Sequence, residues 1–91
     1  MDLKEKVALA LRRSLRADHI RLEEDGDISG IVVSARFERV PLLERQRLIA
    51  KALRTSSIKL TKAELRKVLA IAGLTPAEYE GLGYDEREVR R

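Results

Sequence analysis

Three groups of side chains in this 91-residue chain are of types that bind metals or anions. The single histidine is His19, four carboxylates fall within residues 23–27, and Arg45-Gln46-Arg47 stand in succession further on. Imidazole and carboxylate groups are metal ligands and proton carriers, whereas arginines pair with anions. The chain has no cysteine, so disulfides, thiolate metal sites and cysteine nucleophiles are excluded.

The histidine and the acidic cluster fall short of a metal or catalytic site. A lone histidine without cysteine cannot form a typical zinc site, so we interpret His19 as a residue at the edge of a strand. Asp25 and Asp27 have the spacing of the start of a calcium loop, but the remaining oxygen ligands are missing. The chain contains no phosphate-binding loop, dinucleotide motif, nucleophile elbow or zinc-protease motif. We therefore predict no enzymatic activity, no cofactor, no metal and no small-molecule substrate.

Positive charge is concentrated in the middle of the chain. Residues 36–67 hold ten basic and three acidic residues, a local net charge of +7. Such a surface attracts anionic partners, although surface helices are often rich in arginine for solubility alone. The residues predicted to form a partner or nucleic-acid surface are Arg36, Arg39, Arg45, Gln46, Arg47, Lys51, Arg54 and Lys67.

Size and composition predict one small domain. Charged residues make up 37% and hydrophobic residues 44% of the chain, which is typical of a globular protein. No apolar run reaches the roughly 18 residues of a membrane span, and the N-terminus lacks the apolar core of a secretory signal. We expect a cytoplasmic protein with a single domain over residues 1–82, no membrane contact, and a flexible tail over residues 83–91.

The N-terminal third predicts a helix followed by a hairpin. Apolar residues recur every four positions from Leu3 to Leu15, and Asp2 can cap this helix together with Glu5. Residues 19–24 alternate between apolar and polar, and residues 31–33 are β-branched, as in strands. The Asp-Gly-Asp sequence between these segments favours a tight turn, so the two strands should pair antiparallel.

A second long helix should begin after Pro41. Helical spacing places Leu42, Ile49 and Leu53 on the face that packs on the core. Gln46 falls on the same face, so it either lies at the rim or makes a specific buried hydrogen bond. We call Arg47, Lys51 and Arg54, which point away from that face, the basic ridge.

The segment after residue 60 is ambiguous. Thr61 and Glu64 form a capping-box pattern that opens a helix, and helical spacing continues to Gly73. The run from Val68 to Leu74 is also long enough for a buried strand, and periodicity cannot separate the two. Local pattern alone favours the helix. Thr75 and Pro76 then begin a short final helix.

In order and spacing, four segments of the chain resemble a BolA-like domain. They are EEDGD, IVVSARF, LLERQRLIAKAL and TPAEY, within residues 19–79. The resemblance implies an α/β (α+β) fold similar to class II KH domains, with the order α-β-β-α-α-β-α and a mixed three-stranded sheet. It therefore makes residues 67–73 the third strand, against the local pattern.

The resemblance also implies a function, and this chain departs from the family's pattern at several positions, among them a hairpin loop without Cys or His and Arg39 in place of the family's glycine after Phe37. BolA-like proteins partner monothiol glutaredoxins in iron–sulfur trafficking, and some act on transcription. The shared cluster takes a C-terminal histidine and a hairpin-loop ligand from the BolA partner. That histidine position is Lys67 here, and the family's Arg-His-Arg reads Arg45-Gln46-Arg47. A protonated amine cannot ligate iron.

We therefore predict a protein-binding adaptor, possessing no cluster ligand of its own, whose partner is a monothiol glutaredoxin. The alternative is a KH-like nucleic-acid-binding protein or transcriptional regulator that binds weakly and electrostatically. That alternative lacks the Gly-x-x-Gly loop, and Phe37 is its one candidate for stacking on bases. A third hypothesis, an oligomerisation module, has no positive sign in the sequence.

Overall fold

The computed structural model describes residues 1–82, so the predicted tail at residues 83–91 lies outside the described residues. Its elements follow the order α-β-β-α-α-β-α, which confirms the predicted fold class. The elements are α1 Leu3–Leu15, β1 His19–Asp25, β2 Asp27–Val33, a single 3-10 turn Ala35–Phe37, α2 Leu42–Thr55, α3 Lys62–Arg66, β3 Val68–Leu74 and α4 Pro76–Gly81.

Helix α1 forms as its sequence predicts. The Asp2 side chain accepts a hydrogen bond from the backbone N–H of Glu5, and the Glu5 side chain accepts one from the backbone of Asp2. Val7, Leu11 and Leu15 are buried along one side of the helix. Reciprocal capping satisfies two backbone N–H groups that have no partner inside the helix.

Strands β1 and β2 form the predicted antiparallel hairpin, in a register that pairs His19 with Val33 and Asp25 with Asp27. Gly26 has φ +78° in the turn, which glycine adopts without steric cost. Gly30 has φ +155°, and a Cβ atom there would overlap the backbone carbonyl oxygen of Arg21. The close approach of β1 to β2 therefore requires glycine at this position.

Strand β3 pairs parallel to β2 and completes a mixed sheet of order β1-β2-β3. The register pairs Ile28 with Val68 and Ser29 with Ala70, so Leu69 is an extra residue on β3. This bulge lets Val68 and Ile71 both pack on the core although they are three residues apart. The helix favoured by local pattern is wrong, because pairing with β2 decides the conformation of this segment.

Helices α1 and α2 pack together on one face of the sheet. The core between them is aliphatic apart from Phe37, which is fully buried. Its buried members are Val7, Ala10, Leu11, Leu15, Leu22, Ile28, Val32, Phe37, Ile49, Ala52, Leu53 and Ile71. No helix within residues 1–82 is long and apolar enough to cross a membrane.

The first turn of α2 differs from the sequence prediction. Ile49 and Leu53 are buried as expected, but Leu42 is 71% exposed and Leu43 is 63% exposed. Arg45 takes the buried position one turn before Ile49 and is only 6% exposed. Helical periodicity predicts a leucine at such a buried position, but the hydrogen bonds that Arg45 donates favour the arginine there.

Candidate functional site

The Arg45 side chain is buried and donates hydrogen bonds to three segments: the loop before α2, the end of β3 and the start of α4. Its Nε atom donates to the carbonyl of Val40 at 2.7 Å, and Nη1 donates to the carbonyl of Gly73 at 3.1 Å. Nη1 and Nη2 also donate to the two carboxylate oxygens of Glu78, at 2.6 and 3.2 Å. A buried guanidinium needs this many acceptors to offset its loss of hydration. Arg45 was predicted as part of a binding surface, and its burial corrects that prediction.

Glu78 joins the Arg45 cluster to the start of α4. It accepts hydrogen bonds from the backbone N–H of Thr75, and Thr75 Oγ1 accepts from the N–H of Glu78. The hydrogen bond from Arg45 is the main cause that lowers the pKa of Glu78 from 4.5 to about 2, and the Thr75 backbone bond adds to it. The carboxylate is therefore charged throughout the neutral range. The sequence signal for this residue was the capping-box spacing after Thr75, which the sequence analysis did not use.

Gln46 lies at the outer edge of β3. Its Nε2 atom donates to the carbonyl of Ile71 at 3.0 Å, and the residue itself is exposed. It therefore lies at the rim of the core and also makes one specific hydrogen bond. Since Arg45 takes the carbonyl of Gly73, two successive outward carbonyls of β3 are hydrogen-bonded by adjacent residues of α2. These contacts block part of an edge that would otherwise be open to another strand.

The predicted cationic residues other than Arg45 are exposed but divide between different surfaces. Arg47, Lys51 and Arg54 of the basic ridge all face solvent on α2. Arg47 forms an exposed ion pair with Glu44 at 2.7 Å. Arg36 and Lys51 border one groove of about 190 Å³ next to the C-terminal end of α1. Arg39 is exposed in the loop before α2, with φ +62°.

Lys67 lies where the resemblance places the cluster-ligand histidine, between α3 and β3. Its backbone carbonyl accepts from the N–H of Ile28 at 2.6 Å, so it sits beside the tip of the β1–β2 hairpin. His19 is at the other end of β1, where its ring lies 5.0 Å from the ring of Tyr79. Six residues of strand separate His19 from the tip, a distance of about 20 Å.

These positions do not fit an iron–sulfur cluster. The family's two ligands come from the hairpin loop and the position of Lys67, and these places here carry carboxylates and an amine. The only histidine of the chain is too far away to join them. Within residues 1–82, no three His, Cys, Asp or Glu side chains come together as a metal site.

Phe37 is fully buried, so it cannot stack on a nucleic-acid base. Its ring fills the space next to Gly73, where an added Cβ would lie 2.9 Å from two ring carbons. The guanidinium carbon of Arg45 lies 6.0 Å from the ring centroid. The one candidate for stacking on bases is therefore excluded, and Phe37 instead packs at the junction of α2 with β3.

Two separate grooves border β3. One groove, of about 480 Å³, is lined by Gly30, Gln46, Leu69, Ala70, Ile71 and Ala72. The other groove, of about 240 Å³, is lined by Ala50, Leu53, Arg54, Leu65 and Val68. Because Ile71 is buried against the helices, the alternation of side chains along β3 places Ala70 and Ala72 on the opposite face of the sheet. The sequence analysis predicted neither groove.

Comparison with solved structures identifies neighbours that span most of this chain. The crystal structure of a bol-like protein from Babesia bovis has a TM-score of 0.68 and 28% sequence identity, covering 90% of this chain and 94% of that chain. The structure of BolA1 from Arabidopsis thaliana has a TM-score of 0.63 and 21% identity, covering 86% and 96%. No protein-family model and no curated protein sequence matches the chain.

Proposed function

Since the fold and its structural neighbours identify the chain as BolA-like, we propose that it is a non-enzymatic adaptor that binds a protein partner without ligating a cluster itself. The first candidate partner is a monothiol glutaredoxin, the partner that the family resemblance implies. The observation that supports this proposal is the place of Lys67 beside the hairpin tip, where a ligand would be needed. An adaptor of this type contacts the glutaredoxin and leaves the cluster chemistry to it.

The proposal is tested by mixing the protein with a cluster-loaded monothiol glutaredoxin. We expect a complex by calorimetry or by perturbed amide resonances, while the visible circular dichroism stays that of the loaded glutaredoxin alone. If neither the loaded nor the cluster-free glutaredoxin forms a complex with the protein, a monothiol glutaredoxin is excluded as the partner. A new visible signature that disappears in His19→Ala would show that this chain does supply a ligand.

Lys67→His tests whether this position limits ligation. An uncharged imidazole can donate a lone pair to iron, whereas a protonated amine cannot. We expect a new visible circular dichroism signature for the mixture of Lys67→His with the loaded glutaredoxin. The matched control is Lys62→His, which places a histidine at an exposed lysine of α3 and should leave the spectrum unchanged. An equal response from both variants would contradict the role assigned to position 67.

A further inference from the structure

The two edges of the sheet are not equally accessible to another strand. Within residues 1–82 the strand order is β1-β2-β3, so β1 and β3 are the edge strands. On β3, the carbonyls of Ile71 and Gly73 already accept hydrogen bonds from Gln46 and Arg45. On β1, no side chain of residues 1–82 hydrogen-bonds the backbone, so the N–H and C=O groups that point away from β2 have no partner in that range. The edge of β1 is therefore the one open to a further strand.

Helix α1 does not close over this edge. Ile20 is half-buried, whereas Leu22 on the same side of β1 is only 9% exposed. A groove of about 150 Å³ lies between α1 and β1 and is lined by Lys4, Glu5, Ala8, Arg12, Ile20 and Leu22. A second strand can therefore approach β1 without displacing the helix.

The charged side chains on the other side of β1 are divided by sign along the strand. Leu22 is buried against the helices, so alternation places Arg21 and Glu23 on the opposite face of the sheet, where both line a groove of about 230 Å³. His19 and Asp25 lie at the two ends of the same row. The first half of the row is thus basic and the second half acidic. None of these four side chains takes part in an ion pair within residues 1–82.

This distribution makes β1 complementary to a second copy of itself. When two copies pair antiparallel with Leu22 opposite Leu22, each Arg21 faces Glu23 of the other copy and each His19 faces Asp25. Opposite charges on directly paired residues stabilise a sheet, and like charges there destabilise it. A shift by two residues in either direction places Arg21 opposite Arg21 or Glu23 opposite Glu23. A shift by one residue would bring side chains of different faces together. The charges therefore favour the register centred on Leu22.

From these observations we propose that two copies of the chain form a dimer by antiparallel pairing of their β1 strands, centred on Leu22. The two three-stranded sheets then form one continuous sheet, and the helices of both copies lie on the same face because the two-fold axis is perpendicular to it. The register also places Ile20 opposite Glu24 of the second copy. That carboxylate lies beside the groove lined by Lys4 and Arg12, which adds a further attraction between opposite charges.

Charged side chains usually protect an edge strand from pairing, because an unmatched charge is buried or meets its like. In β1 the same side chains select the partner, since a strand with the reverse order of charges matches them. This contact is distinct from the glutaredoxin contact proposed above. Lys67 directly precedes β3, which is the other edge of the sheet, so the dimer does not depend on the glutaredoxin proposal.

Sedimentation velocity and amide resonances of the full chain test the dimer. One strand and the adjoining side of α1 make a small interface, so we expect a dimer that dissociates on dilution. The sedimentation coefficient should rise with concentration between about 10 μM and about 1 mM. The amide resonances of residues 20–24 should shift over the same range, and those of residues 69–72 on the opposite edge should not.

Charge reversals test the register. Arg21→Glu and Glu23→Arg each replace both central attractions by repulsions, so each should weaken the dimer by about tenfold or more. The double variant Arg21→Glu/Glu23→Arg should dimerise like the wild type. An equimolar mixture of the two single variants should also form a dimer, because all basic side chains are then on one copy and all acidic ones on the other. The controls are Arg66→Glu on α3 and Glu80→Arg on α4, which change the net charge equally and should dimerise like the wild type.

Three results would overturn the proposal. They are a wild type that stays monomeric up to about 1 mM, single variants that dimerise as well as the wild type, and a mixture of the single variants that stays monomeric. Resonance shifts confined to β3 would place the contact at the other edge and would overturn it as well. Circular dichroism checks the fold of every variant, and recovery of the dimer in the mixture separates lost pairing from lost folding. Glutaredoxin binding is measured separately, and none of these results bears on it.

Discussion

Arg45 and Arg47 are two residues apart on one helix, and the sequence does not distinguish them. Their surroundings in the structure are different. Arg45 is buried and donates to Val40, Gly73 and Glu78, whereas the side chain of Arg47 is 66% exposed in its ion pair with Glu44. The sequence could place both on α2 but could not separate them. Their difference comes from the carbonyls that the loop before α2 and the end of β3 bring to Arg45.

This contrast predicts unequal effects on stability. Arg45→Ala leaves the carbonyl of Gly73 buried without its side-chain donor, and each such orphaned group costs about 1–3 kcal/mol. Adding the lost contacts with Phe37, we expect Arg45→Ala to lower the free energy of unfolding by about 2–4 kcal/mol. Arg47→Ala should change it by less than about 0.5 kcal/mol, because exposed ion pairs contribute little. Urea unfolding of both variants measures the difference, and equal losses would contradict the structural role of Arg45.

The ion pair of Arg45 with Glu78 predicts how stability depends on pH. The pKa of Glu78 is lowered from 4.5 to about 2 in the folded state, chiefly by its hydrogen bond from Arg45. A carboxylate with a lowered pKa stabilises the folded state fully above its unfolded pKa and loses that effect as the pH falls through the folded value. The contribution of Glu78 should therefore be complete above about pH 4.5 and fade towards pH 2.

Urea unfolding of the wild type and Glu78→Gln across this range checks the expectation. The wild type should be the more stable of the two at pH 7, and the difference should shrink as the pH falls from about 4.5 to about 2. Glu80→Gln, at an exposed glutamate of the same helix, serves as the control and should leave the pH profile unchanged. A constant difference between wild type and Glu78→Gln at all pH values would contradict the assignment.

Among the helices and strands, the predictions were correct where a local sequence pattern specifies the start of the element. The capping pairs Asp2–Glu5 and Thr61–Glu64 begin helices in the structure as in the sequence analysis. Residues 68–74 show the opposite case, since their spacing suits a helix and only the family resemblance identified a strand. A neighbouring strand forty residues earlier in the chain decides their conformation, and no local pattern contains that information.

The sheet geometry also predicts that alanine substitutions at Gly30 in β2 and at Gly26 in the preceding turn lower the stability by different amounts. Gly30→Ala brings a Cβ into the backbone carbonyl of Arg21, so β1 and β2 must separate locally, and we expect a loss of about 3 kcal/mol. Gly26→Ala has no atom within 4 Å of the added Cβ and retains only the strain of its positive φ, about 1 kcal/mol. Thermal and urea unfolding of the two variants compare these costs. A smaller loss for Gly30→Ala than for Gly26→Ala would contradict the observed strand approach.

In the whole molecule, the net charge follows from the sequence, but its distribution over the surface does not. The eight residues predicted as one partner surface occupy at least four places: the buried junction, the sheet edge, the basic ridge and the hairpin end. Gln46 and Arg54 line two separate grooves beside β3, and Arg36 and Lys51 border a third. Leu42, Leu43 and Leu69 are exposed. Hydrophobicity predicts burial for each of them, and only the packed structure shows otherwise.

The parallel pairing of β2 with β3 has a consequence for the time course of folding. The register pairs Ile28 with Val68 and Val33 with Leu74. One edge of β2 can therefore form its hydrogen bonds only with a segment about forty residues further along the chain. The hairpin and the long helices form from contacts near in sequence, which are fast, whereas closing a loop of this size is slower. During synthesis, one side of β2 therefore stays unpaired until residues 68–74 have left the ribosome. In that interval the nascent chain exposes a strand that can pair with another unfinished chain.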